Sequence, residues 1–526
     1  MTYYITTPLF YVNDTPHIGS AYPTIVCEFL AGHMKQRSQD VCFLTGTDEH
    51  GQKIEKSAKE NGISAQAHCD HYASQFLELW KVLEIDFDYF IRTTDSRHKE
   101  FVSDFFQKVQ ASGDIYKGQY TGLYCVSCED FWLEKDLEQD EATQKFMCPT
   151  HKKAVEEYSQ ENYFFKLSKY QEPLKKYIDE NPDFIAPEYR KNEVLGWIKE
   201  GLRDFPISRT NLEWGIKIPG DDEQVIYVWF DALLGYLSGL EDQREKFWQQ
   251  NSITHIIGKD ILRFHAVYWP AMLMSAGLPL PKKVFGHGFL TKDGMKMGKT
   301  LGNVIDPIAL SDSYGPEAVK YYFLRDIVFG RDGDFSSEAF LQVLNSDLAN
   351  NLGNLLSRAL KLINKYFDSK LPEKIICSQI EASLKNLQIS FFENIDKINP
   401  FQAFADLFKV LDQANVFIND VEPWKILKQE DIAEDKRRSA IKSLYTAIVC
   451  CYQAAFYLAP VMPNLSKKIA VNLGFTEVEN MSKEELLTGF YNFENLEFDF
   501  QNHSVNQEPQ GIFQRIQTKT QEKASL

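Results

Sequence analysis

The sequence of 526 residues lacks several features, and each absence excludes a class of protein. No stretch of 18 consecutive apolar residues occurs, so no membrane-spanning helix is predicted. Basic residues (57) are outnumbered by acidic ones (74), giving a formal charge of −17 without a long basic block. This balance argues against non-specific coating of nucleic acid, although a local basic patch can still hold one RNA. No internal repeat or low-complexity tract stands out, and a hydrophobic content of 44% with an aromatic content of 13% is ample for large buried cores, so a disordered chain is not expected.

Cysteine is also scarce, with nine residues, an odd number, scattered over the chain. A framework of disulfides is therefore not expected, and a reducing compartment is. The first ten residues read as a strand and lack the basic stretch and apolar core of an export signal. These features together predict a cytoplasmic protein.

Strands and helices alternate over the first part of the chain. Segments rich in β-branched and aromatic residues, Thr2 to Val12, Asp40 to Thr45 and Phe87 to Thr93, predict three strands. Apolar residues recur at helical spacing from Ile18 to Arg37 and from Ser96 to Ala111. Strands that alternate with helices predict parallel β-α-β units in a doubly wound sheet.

This alternation is interrupted and then resumes. Residues 113–160 read as short and irregular, while strands followed by helices are again predicted from Gln224 to Trp229 and from Ile253 to Gly258. After about residue 336, amphipathic helices dominate, for example Leu341 to Tyr366 and Lys436 to Leu458. The pattern predicts an α/β nucleotide-binding sheet with an insertion, followed by an all-α helical bundle.

One candidate site lies at a predicted strand-to-helix junction, Pro16-His17-Ile18-Gly19-Ser20. The unpaired N–H groups at a helix N-terminus favour a phosphate, and His17 adds a hydrogen-bond donor. Gly19 has no side chain that would block a flat base. Taken alone, the segment is better read as a turn with an incidental histidine.

A second candidate is the loop that starts at Lys292 and ends at Asn303, in which lysines alternate with glycines after a predicted strand, Val284 to Leu290. Glycines make such a loop mobile and lysines bind phosphate, which suits a lid over a triphosphate. A solvated charged turn is the alternative. The pairing of this loop with the segment at His17, each at a strand end of one interrupted sheet, favours a nucleotide site.

Four residues have the spacing of a zinc site. Cys125 and Cys128 form one C-x-x-C pair, and Cys148 and His151 form a C-x-x-H pair that is separated from it by 19 residues. Four thiolate and imidazole ligands bind Zn²⁺ tetrahedrally and leave no open position, so the predicted role is structural.

The segments at His17 and around Lys299 resemble the two signature motifs of the class I aminoacyl-tRNA synthetases. Within that class, Ile5-Thr6-Thr7-Pro8-Leu9-Phe10-Tyr11-Val12-Asn13 and Thr45-Gly46-Thr47-Asp48-Glu49-His50-Gly51 resemble the methionyl-tRNA synthetase family. The resemblance covers essentially the whole chain, and the four candidate zinc ligands match the single zinc knuckle of one subgroup of that family.

The chain departs from the family pattern at two positions. Ser20 stands where the family has the second histidine of its first motif, and Gly298 replaces the first serine of the lysine loop. Loss of an imidazole donor to the reacting phosphate lowers activation by about ten- to a thousandfold if nothing compensates. Ser20 keeps a shorter hydroxyl donor, and Lys296 and Lys299 are both present.

The resemblance implies a Rossmann-type core and a set of site residues. His17, Lys296 and Lys299 are the implied catalytic residues, and Mg²⁺ is expected to accompany ATP. The implied ATP-binding residues are His17, Gly19, Ser20, Lys296, Met297 and Lys299. Asp48 is implied to hold the ammonium of methionine. The implied side-chain pocket consists of Leu9, Tyr11, Trp229, Ala232, Tyr236, Ile261 and His265. Each pocket residue, taken singly, also fits an ordinary core position.

In the helical part, Asn350, Asn354 and Arg358 recur every four residues and share one helix face. Trp424 offers a plane on which an unpaired base can stack. Asn354, Arg358 and Trp424 match anticodon-reading positions of the resembled family. Without the resemblance they read as a helix cap, a surface arginine and a buried tryptophan, and for Asn350 a structural role is preferred.

The expected function is activation of L-methionine by ATP and its transfer to tRNA(Met). One alternative is a related synthetase for another aliphatic amino acid, which the lack of a very large insertion between residues 113 and 222 disfavours. The other is a catalytically weakened paralogue that binds tRNA or regulates, which Ser20 and Gly298 motivate. No appended oligonucleotide-binding domain is evident at the C-terminus, which favours a monomer.

The expected divisions are a first core half (1–112), a connective insertion with the zinc knuckle (113–222), a second core half (223–290), a lysine-loop and stem-contact region (291–340), a helical anticodon-binding domain (341–500) and a tail (501–526).

Overall fold

The computed structural model describes residues 2–126, 130–132, 134–140, 143–150, 152–210, 212–249, 252–292, 294–297 and 303–517. Within these residues the chain forms an α/β part, an inserted antiparallel sheet and a helical part. No helix among them has the length and apolar character that a bilayer crossing requires.

The centre of the α/β part is a parallel sheet of six strands. Their order across the sheet is β3-β2-β1-β14-β15-β9, and every adjacent pair runs parallel. The strands are β1 (Thr2–Tyr11), β2 (Asp40–Asp48), β3 (Tyr89–Arg92), β9 (Ile185–Ala186), β14 (Ile253–Gly258) and β15 (Lys283–His287). The predicted parallel core is thereby confirmed, and β9 adds a strand that the sequence did not suggest.

Helices cover both faces of this sheet. Neighbouring residues of a single strand enter two different hydrophobic clusters, as Ile5 and Tyr4 do in β1 and Ile256 and Ile257 do in β14. Side chains that point alternately to two buried faces produce the near-continuous apolar strands of parallel sheets. The α-helices of this part are α1 (Ile18–Gln36), α2 (Gln52–Glu60), α3 (Ala65–Val82), α4 (Ser96–Ala111), α5 (Gln171–Glu180), α6 (Glu188–Glu200), α7 (Val228–Ala232), α8 (Gly235–Ser238), α9 (Arg244–Trp248), α10 (Trp269–Ser275), α11 (Pro307–Tyr314) and α12 (Pro316–Asp326).

Two predicted strands are wrong in detail. The strand expected from Gln224 to Trp229 ends at Ile226, belongs to a separate antiparallel sheet, and is followed directly by α7. The strand expected from Val284 to Leu290 is two strands, β15 and β16 (Leu290–Lys292), which lie in different sheets. A short apolar run does not reveal which sheet pairs with it, because pairing depends on residues far away in sequence.

The described residues between 113 and 160 form antiparallel sheets, so the irregular structure expected from the sequence is wrong. The centre of this region is a long antiparallel pair, β4 (Ile115–Cys125) with β8 (Glu156–Phe165), joined at its edges by β5 (Asp130–Trp132) and β10 (Phe205–Pro206). Many polar residues interrupt both long strands, which hides their periodicity. The smaller sheets contain β6 (Glu138–Gln139), β7 (Phe146–Met147), β11 (Ser208–Thr210), β12 (Lys217–Ile218), β13 (Asp221–Ile226), β16, β17 (Met295–Lys296) and β18 (Gly333–Phe335).

From Ser337 to Asn495 the described chain is mainly helical, which confirms the predicted helical C-terminal part. Its α-helices are α13 (Ser337–Val343), α14 (Asn354–Phe367), α15 (Ser378–Asp396), α16 (Pro400–Val421), α17 (Pro423–Ile426), α18 (Glu434–Leu458), α19 (Pro463–Asn472) and α20 (Lys483–Glu485). π-Helical turns occur at Phe264–Tyr268, Leu344–Gly353 and Leu486–Phe490. Short 3₁₀ turns occur at Glu134–Asp136, Leu167–Tyr170, Glu241–Gln243, Lys259–Ile261, Thr476–Asn480 and Phe493–Asn495.

Buried charges join the α/β part to the helical part. Glu28 of α1 accepts a hydrogen bond from Lys320 of α12 (3.1 Å) and one from Lys483 of α20 (2.5 Å). Glu317 of α12 caps α19, because its two carboxylate oxygens accept the N–H groups of Asn464 and Leu465. A buried carboxylate is tolerated only with such partners, so these contacts fix how the two parts meet.

A buried histidine in the same interface makes stability depend on pH. His33 of α1 packs against Phe29, Phe391 and Phe392, and burial lowers its pKa to about 3. The unfolded chain therefore binds a proton at this residue below about pH 6.5 while the folded chain does not, so stability falls as pH falls through this window. When the pH is lowered from 7.5 to 5.5, we expect His33 alone to reduce the free energy of unfolding by about 1.4 kcal/mol.

Urea unfolding of the wild type and of His33→Phe at the two pH values tests this expectation. Phenylalanine cannot titrate and suits the aromatic surroundings. On this acidification, the free energy of unfolding of the variant is therefore expected to fall by about 1.4 kcal/mol less than that of the wild type. The exposed His71 supplies the control, since His71→Phe is expected to leave the difference between the two pH values unchanged. An equal loss in the wild type and in His33→Phe would contradict the assignment.

Candidate functional site

A small pocket opens at the carboxyl ends of β1 and β2. It has about 230 Å³ of empty space and is lined by Leu9, Asp48, Trp229, Ala232, Leu233, Tyr236, Ile261 and His265. Seven of these eight residues were predicted from the sequence. Leu233 was not among them, and Tyr11 was predicted but does not line the pocket.

The strand ends explain why these residues meet. In open parallel sheets, ligands bind in the crevice beyond the carboxyl ends of the strands. The register of β1 against β2 shifts between Thr6 and Leu9, and such an irregularity re-aims the side chains that follow it. Gly235 lets Leu9 approach closely, because a Cβ atom at that position would lie 2.5 Å from Leu9 Cδ1.

Aromatic side chains form one wall of the pocket. The Trp229 ring stacks on Phe264 with centroids 3.9 Å apart and an angle of 5° between the planes. The ring of His265 lies edge-on to Trp229, at 6.2 Å. Polarizable rings of this kind make favourable contacts with a thioether, so the wall suits a flexible sulfur-containing side chain.

His265 is neutral and oriented. Burial lowers its pKa to about 4. Its Nδ1 donates to the carbonyl oxygen of Ile261 at 3.0 Å, which leaves Nε2 to accept the hydroxyl hydrogen of Tyr236 at 2.7 Å. Because the imidazole and the phenol satisfy each other, they present a mostly apolar surface to the pocket.

Asp48 is the acidic residue of the pocket, at the last position of β2, and is 5% exposed. The following residue, Glu49, is fully buried and receives two hydrogen bonds from Arg92, at 2.7 and 2.9 Å. The indole Nε1 of Trp214 donates to the carbonyl oxygen of Glu49 at 2.6 Å. The backbone that carries Asp48 is therefore held on several sides, and a carboxylate placed in this way can bind a cation.

His17 is the N-cap of α1. Its Nδ1 accepts the N–H of Gly19 at 3.0 Å, so a neutral ring carries its proton on Nε2, which can donate to a phosphate oxygen. A Cβ atom at Gly19 would lie 2.7 Å from His17 Cε1. The glycine is therefore required for this cap, a reason distinct from the flat-base contact that the sequence suggested. Ser20 follows in the first turn, half-buried.

The described part of the lysine loop is a β-hairpin. β16 pairs with β17, with Thr291 opposite Lys296, and Gly294 takes the positive φ of +74° at the turn. The carboxylate of Asp334 accepts the N–H of Gly294 at 2.8 Å. Met297 packs against the large hydrophobic cluster. Gly298, Lys299, Thr300 and the side chain of Lys296 lie outside the described residues.

Two of the four candidate zinc ligands are described. Cys125 is the last residue of β4 and Cys148 follows β7, and both side chains are buried, at 1% and 0% exposure. Cys148 starts a tight turn, since its carbonyl oxygen accepts the N–H of Lys152 and its N–H donates to the carbonyl oxygen of Lys153, both at 2.8 Å. Cys128 and His151 lie outside the described residues. Elsewhere in the described chain no group of three metal-binding side chains occurs.

The three predicted anticodon residues lie in the helical part. The Arg358 guanidinium sits 4.7 Å from the ring centre of Trp424 and donates to Asn419 Oδ1 at 2.7 Å. Asn354 is exposed one turn before Arg358, and its side chain donates to the carbonyl oxygen of Asn350 at 3.0 Å. The structure brings Arg358 and Trp424 together, and it adds Asn419, which the sequence did not single out.

The chain is similar to known proteins over most of its length. The family model "tRNA synthetases class I (M)" matches residues 3–360. A Methionine--tRNA ligase from a Nostoc species is 46% identical over 98% of this chain and 98% of its own length, and one from a Synechocystis species is 47% identical over 90% of each. The chain belongs to the methionyl-tRNA synthetase family.

A solved structure of that family has the same fold. Methionyl-tRNA synthetase from Mycobacterium tuberculosis in complex with methionyl-adenylate superposes with a TM-score of 0.89 at 36% identity, covering 97% of this chain and 99% of that one. The alternative of a synthetase for another aliphatic amino acid is therefore wrong, and the comparisons lend no support to the weakened paralogue.

Proposed function

We propose that this chain is a methionine–tRNA ligase that activates L-methionine with ATP and transfers it to tRNA(Met). The observation that carries the proposal is the pocket, in which a buried carboxylate, Asp48, faces an aromatic wall made by Trp229, Tyr236 and His265. The carboxylate suits an ammonium group and the wall suits a thioether. Related chains that share this fold carry the same activity in their names.

The reaction needs no enzyme nucleophile. The methionine carboxylate attacks the α-phosphate of ATP and displaces pyrophosphate, which gives methionyl-adenylate. A terminal ribose hydroxyl of the tRNA then attacks the adenylate carbonyl and displaces AMP. Catalysis consists of positioning and of stabilising charge on the phosphates.

In this proposal the protein groups divide between the two substrates. His17 donates from Nε2 to a phosphate oxygen at the start of α1, with Gly19 and Ser20 beside the nucleotide. Lys296 and Lys299 approach the phosphates from the lysine loop, next to Met297, and Mg²⁺ accompanies ATP. Asp48 holds the methionine ammonium, while Leu9, Ala232 and Ile261 close the apolar side of the pocket. Tyr11 lies close by but outside the lining.

Amino-acid-dependent exchange of pyrophosphate into ATP tests this function. With the twenty amino acids offered singly, we expect exchange with methionine alone, because a pocket of this shape rejects branched side chains. Exchange with another amino acid, or none with any, would overturn the proposal. A protein that exchanges is then tested for charging of tRNA(Met).

We further propose that Cys125, Cys128, Cys148 and His151 hold one structural Zn²⁺. Both described thiols are buried at turns, and thiolates with imidazole are the ligand set that zinc prefers. The metal would tie the end of β4 to the turn that follows β7 within the insertion.

Removal of one ligand tests the zinc proposal. Cys148→Ser is expected to lower zinc content from about one atom per chain to well below half and to reduce the melting temperature, since metal binding is coupled to local folding. Elemental analysis of purified protein measures the metal. Cys377→Ser, at a buried cysteine of the helical part, is the matched control and is expected to retain zinc. Wild-type protein without zinc would contradict the assignment.

Anticodon recognition is proposed for Asn354, Arg358 and Trp424. Trp424 offers a plane already paired with a cation, and stacking of an unpaired base on such a ring is worth about 1–3 kcal/mol. Trp424→Ala is therefore expected to lower kcat/KM for tRNA by about five- to a hundredfold.

The same variant should keep methionine-dependent exchange, because that step needs no tRNA. Trp424→Phe keeps an aromatic plane and is expected to retain most of the charging activity. Equal losses of charging and exchange in Trp424→Ala would indicate a folding defect and would contradict a role in RNA binding.

The division of the chain into two core halves (1–112 and 223–290), a connective insertion (113–222), a lysine-loop and stem-contact region (291–340), an anticodon-binding domain (341–500) and a tail (501–526) is likewise proposed. β9, which lies in the insertion, pairs with β15 of the core, so the insertion returns to the sheet before the second half begins. A cytoplasmic, monomeric enzyme completes the proposal.

A further inference from the structure

A buried cluster of four side chains lies behind the pocket. Asp231 of α7 accepts a hydrogen bond from His50 Nδ1 at 2.6 Å and one from His98 Nε2 at 2.5 Å. His98 Nδ1 lies 2.7 Å from the hydroxyl of Ser238. All four residues are 7% exposed or less, and none of them lines the pocket.

The hydrogen-bond directions follow from the carboxylate at the centre. Burial by itself raises the pKa of Asp231, but the two imidazoles outweigh it and lower that pKa to about 2. The ionised carboxylate only accepts, so His50 donates through Nδ1 and His98 donates through Nε2. A buried charge needs such partners, and therefore each donor must stay in place.

The cluster connects chain segments that carry different pocket residues. His50 comes two residues after Asp48, at the end of β2, whereas Asp231 lies between Trp229 and Ala232 in α7. The hydrogen bond from His50 to Asp231 thus joins the segment that carries Asp48 to the segment that carries Trp229.

The hydrogen bonds of His98 connect a third pocket-lining segment to Asp231. Ser238 comes two residues after Tyr236 in α8, and His98 lies in the first turn of α4. Through His98, the segment that carries Tyr236 is connected to the same carboxylate. Three of the pocket-lining segments therefore share Asp231 as a common anchor.

We infer that Asp231, His50 and His98 are positioning residues that set the distance between Asp48 and the aromatic wall, and thereby the affinity for methionine. The inference rests on the proposed function, since it assigns the ammonium to one wall and the thioether to the other. A shift of about 1 Å between two contact points of a small substrate weakens binding strongly. The ATP contacts, at His17 and the lysine loop, do not pass through this cluster.

Replacing each histidine with asparagine or with glutamine tests the inference. The side-chain nitrogen of asparagine falls near the place of histidine Nδ1, and that of glutamine falls near the place of Nε2. His50→Asn and His98→Gln are therefore expected to keep KM for methionine within about threefold. The reversed pair, His50→Gln and His98→Asn, misplaces the donor and is expected to raise that KM about tenfold or more, with KM for ATP changed less than about twofold.

All four variants remain polar at the cluster, and a melting temperature is measured for each. His71→Asn and His71→Gln, on the exposed surface of α3, are the matched controls and are expected to match the wild type. An unchanged KM for methionine in the reversed pair would overturn the inference. The inference would also be overturned if KM for methionine followed the melting temperature of the variants instead of the position of the donor nitrogen. A rise in KM for ATP that paralleled the rise in KM for methionine would overturn it as well.

This experiment distinguishes a failure of the proposed function from a failure of the positioning role. Wild-type protein without methionine-dependent exchange would defeat the proposed function itself. Wild-type exchange without the expected pattern among the four variants would defeat only the role of Asp231, His50 and His98.

Discussion

Replacing Asp48 with alanine is expected to lower kcat/KM for methionine in pyrophosphate exchange by about a hundred- to a thousandfold. Asp48 is 5% exposed and lines the same pocket as the aromatic residues Trp229 and Tyr236. Removing one partner of a buried ion pair costs about 3–5 kcal/mol, because the other charge is left without compensation. The substrate ammonium would be that uncompensated charge, so the loss is expected mainly in KM for methionine.

Two further variants separate this effect from a general defect. Asp48→Asn keeps the shape and an acceptor oxygen but loses the charge. Its kcat/KM for methionine is expected to lie between that of the wild type and that of Asp48→Ala. Asp104→Ala removes an exposed carboxylate of α4 and is expected to leave exchange unchanged. Normal KM for methionine in Asp48→Ala, at normal melting temperature, would refute the ammonium contact.

Lys299→Ala is expected to lower methionine-dependent exchange about tenfold or more, with little change in melting temperature. Lys299 follows the β16–β17 hairpin in sequence, between Gly298 and Gly302, and its cationic side chain is proposed to stabilise the charge that develops on the phosphates. Since this interaction strengthens in the transition state, the loss is expected in kcat.

Lys292→Ala provides the comparison for Lys299→Ala. Lys292 stands at the end of β16, before the hairpin turn, and its replacement removes the same charge from the same region. That variant is expected to retain most of the exchange activity. Near-normal exchange in Lys299→Ala would contradict the role given to the loop.

The core could be predicted from the sequence because its strands are long and apolar. β1 and β2 each present both faces to a hydrophobic cluster, so most of their residues are apolar, aromatic or β-branched, and a helix of regular period follows each strand. The same property misleads at Val228 and Trp229. A buried run that is apolar on every side reads equally well as a strand or as a helix, and here it begins α7.

The inserted sheet was missed for the opposite reason. β4 and β8 mix glycine, lysine, glutamine and glutamate with aromatic residues, so no clean alternation of apolar and polar residues appears. Their ten paired positions are specified by cross-strand contacts between residues such as Ile115 and Phe165, which sequence periodicity does not report.

The pocket residues were named from a family resemblance, not from periodicity. The cluster around Asp231 shows what such reasoning leaves out: His50 and His98 are 181 and 133 residues away from it along the chain. A histidine in a loop and one in a helix carry no signal that they share a carboxylate. The fold alone brings them together.

A crystal structure of the chain with a stable analogue of methionyl-adenylate tests the central claim most directly. The account predicts the thioether between Trp229 and Tyr236, the ammonium within hydrogen-bond distance of Asp48, and the phosphate beside the Nε2 atom of His17 at the start of α1. An analogue bound elsewhere, or one whose phosphate lies far from both His17 and the lysine loop, would contradict it.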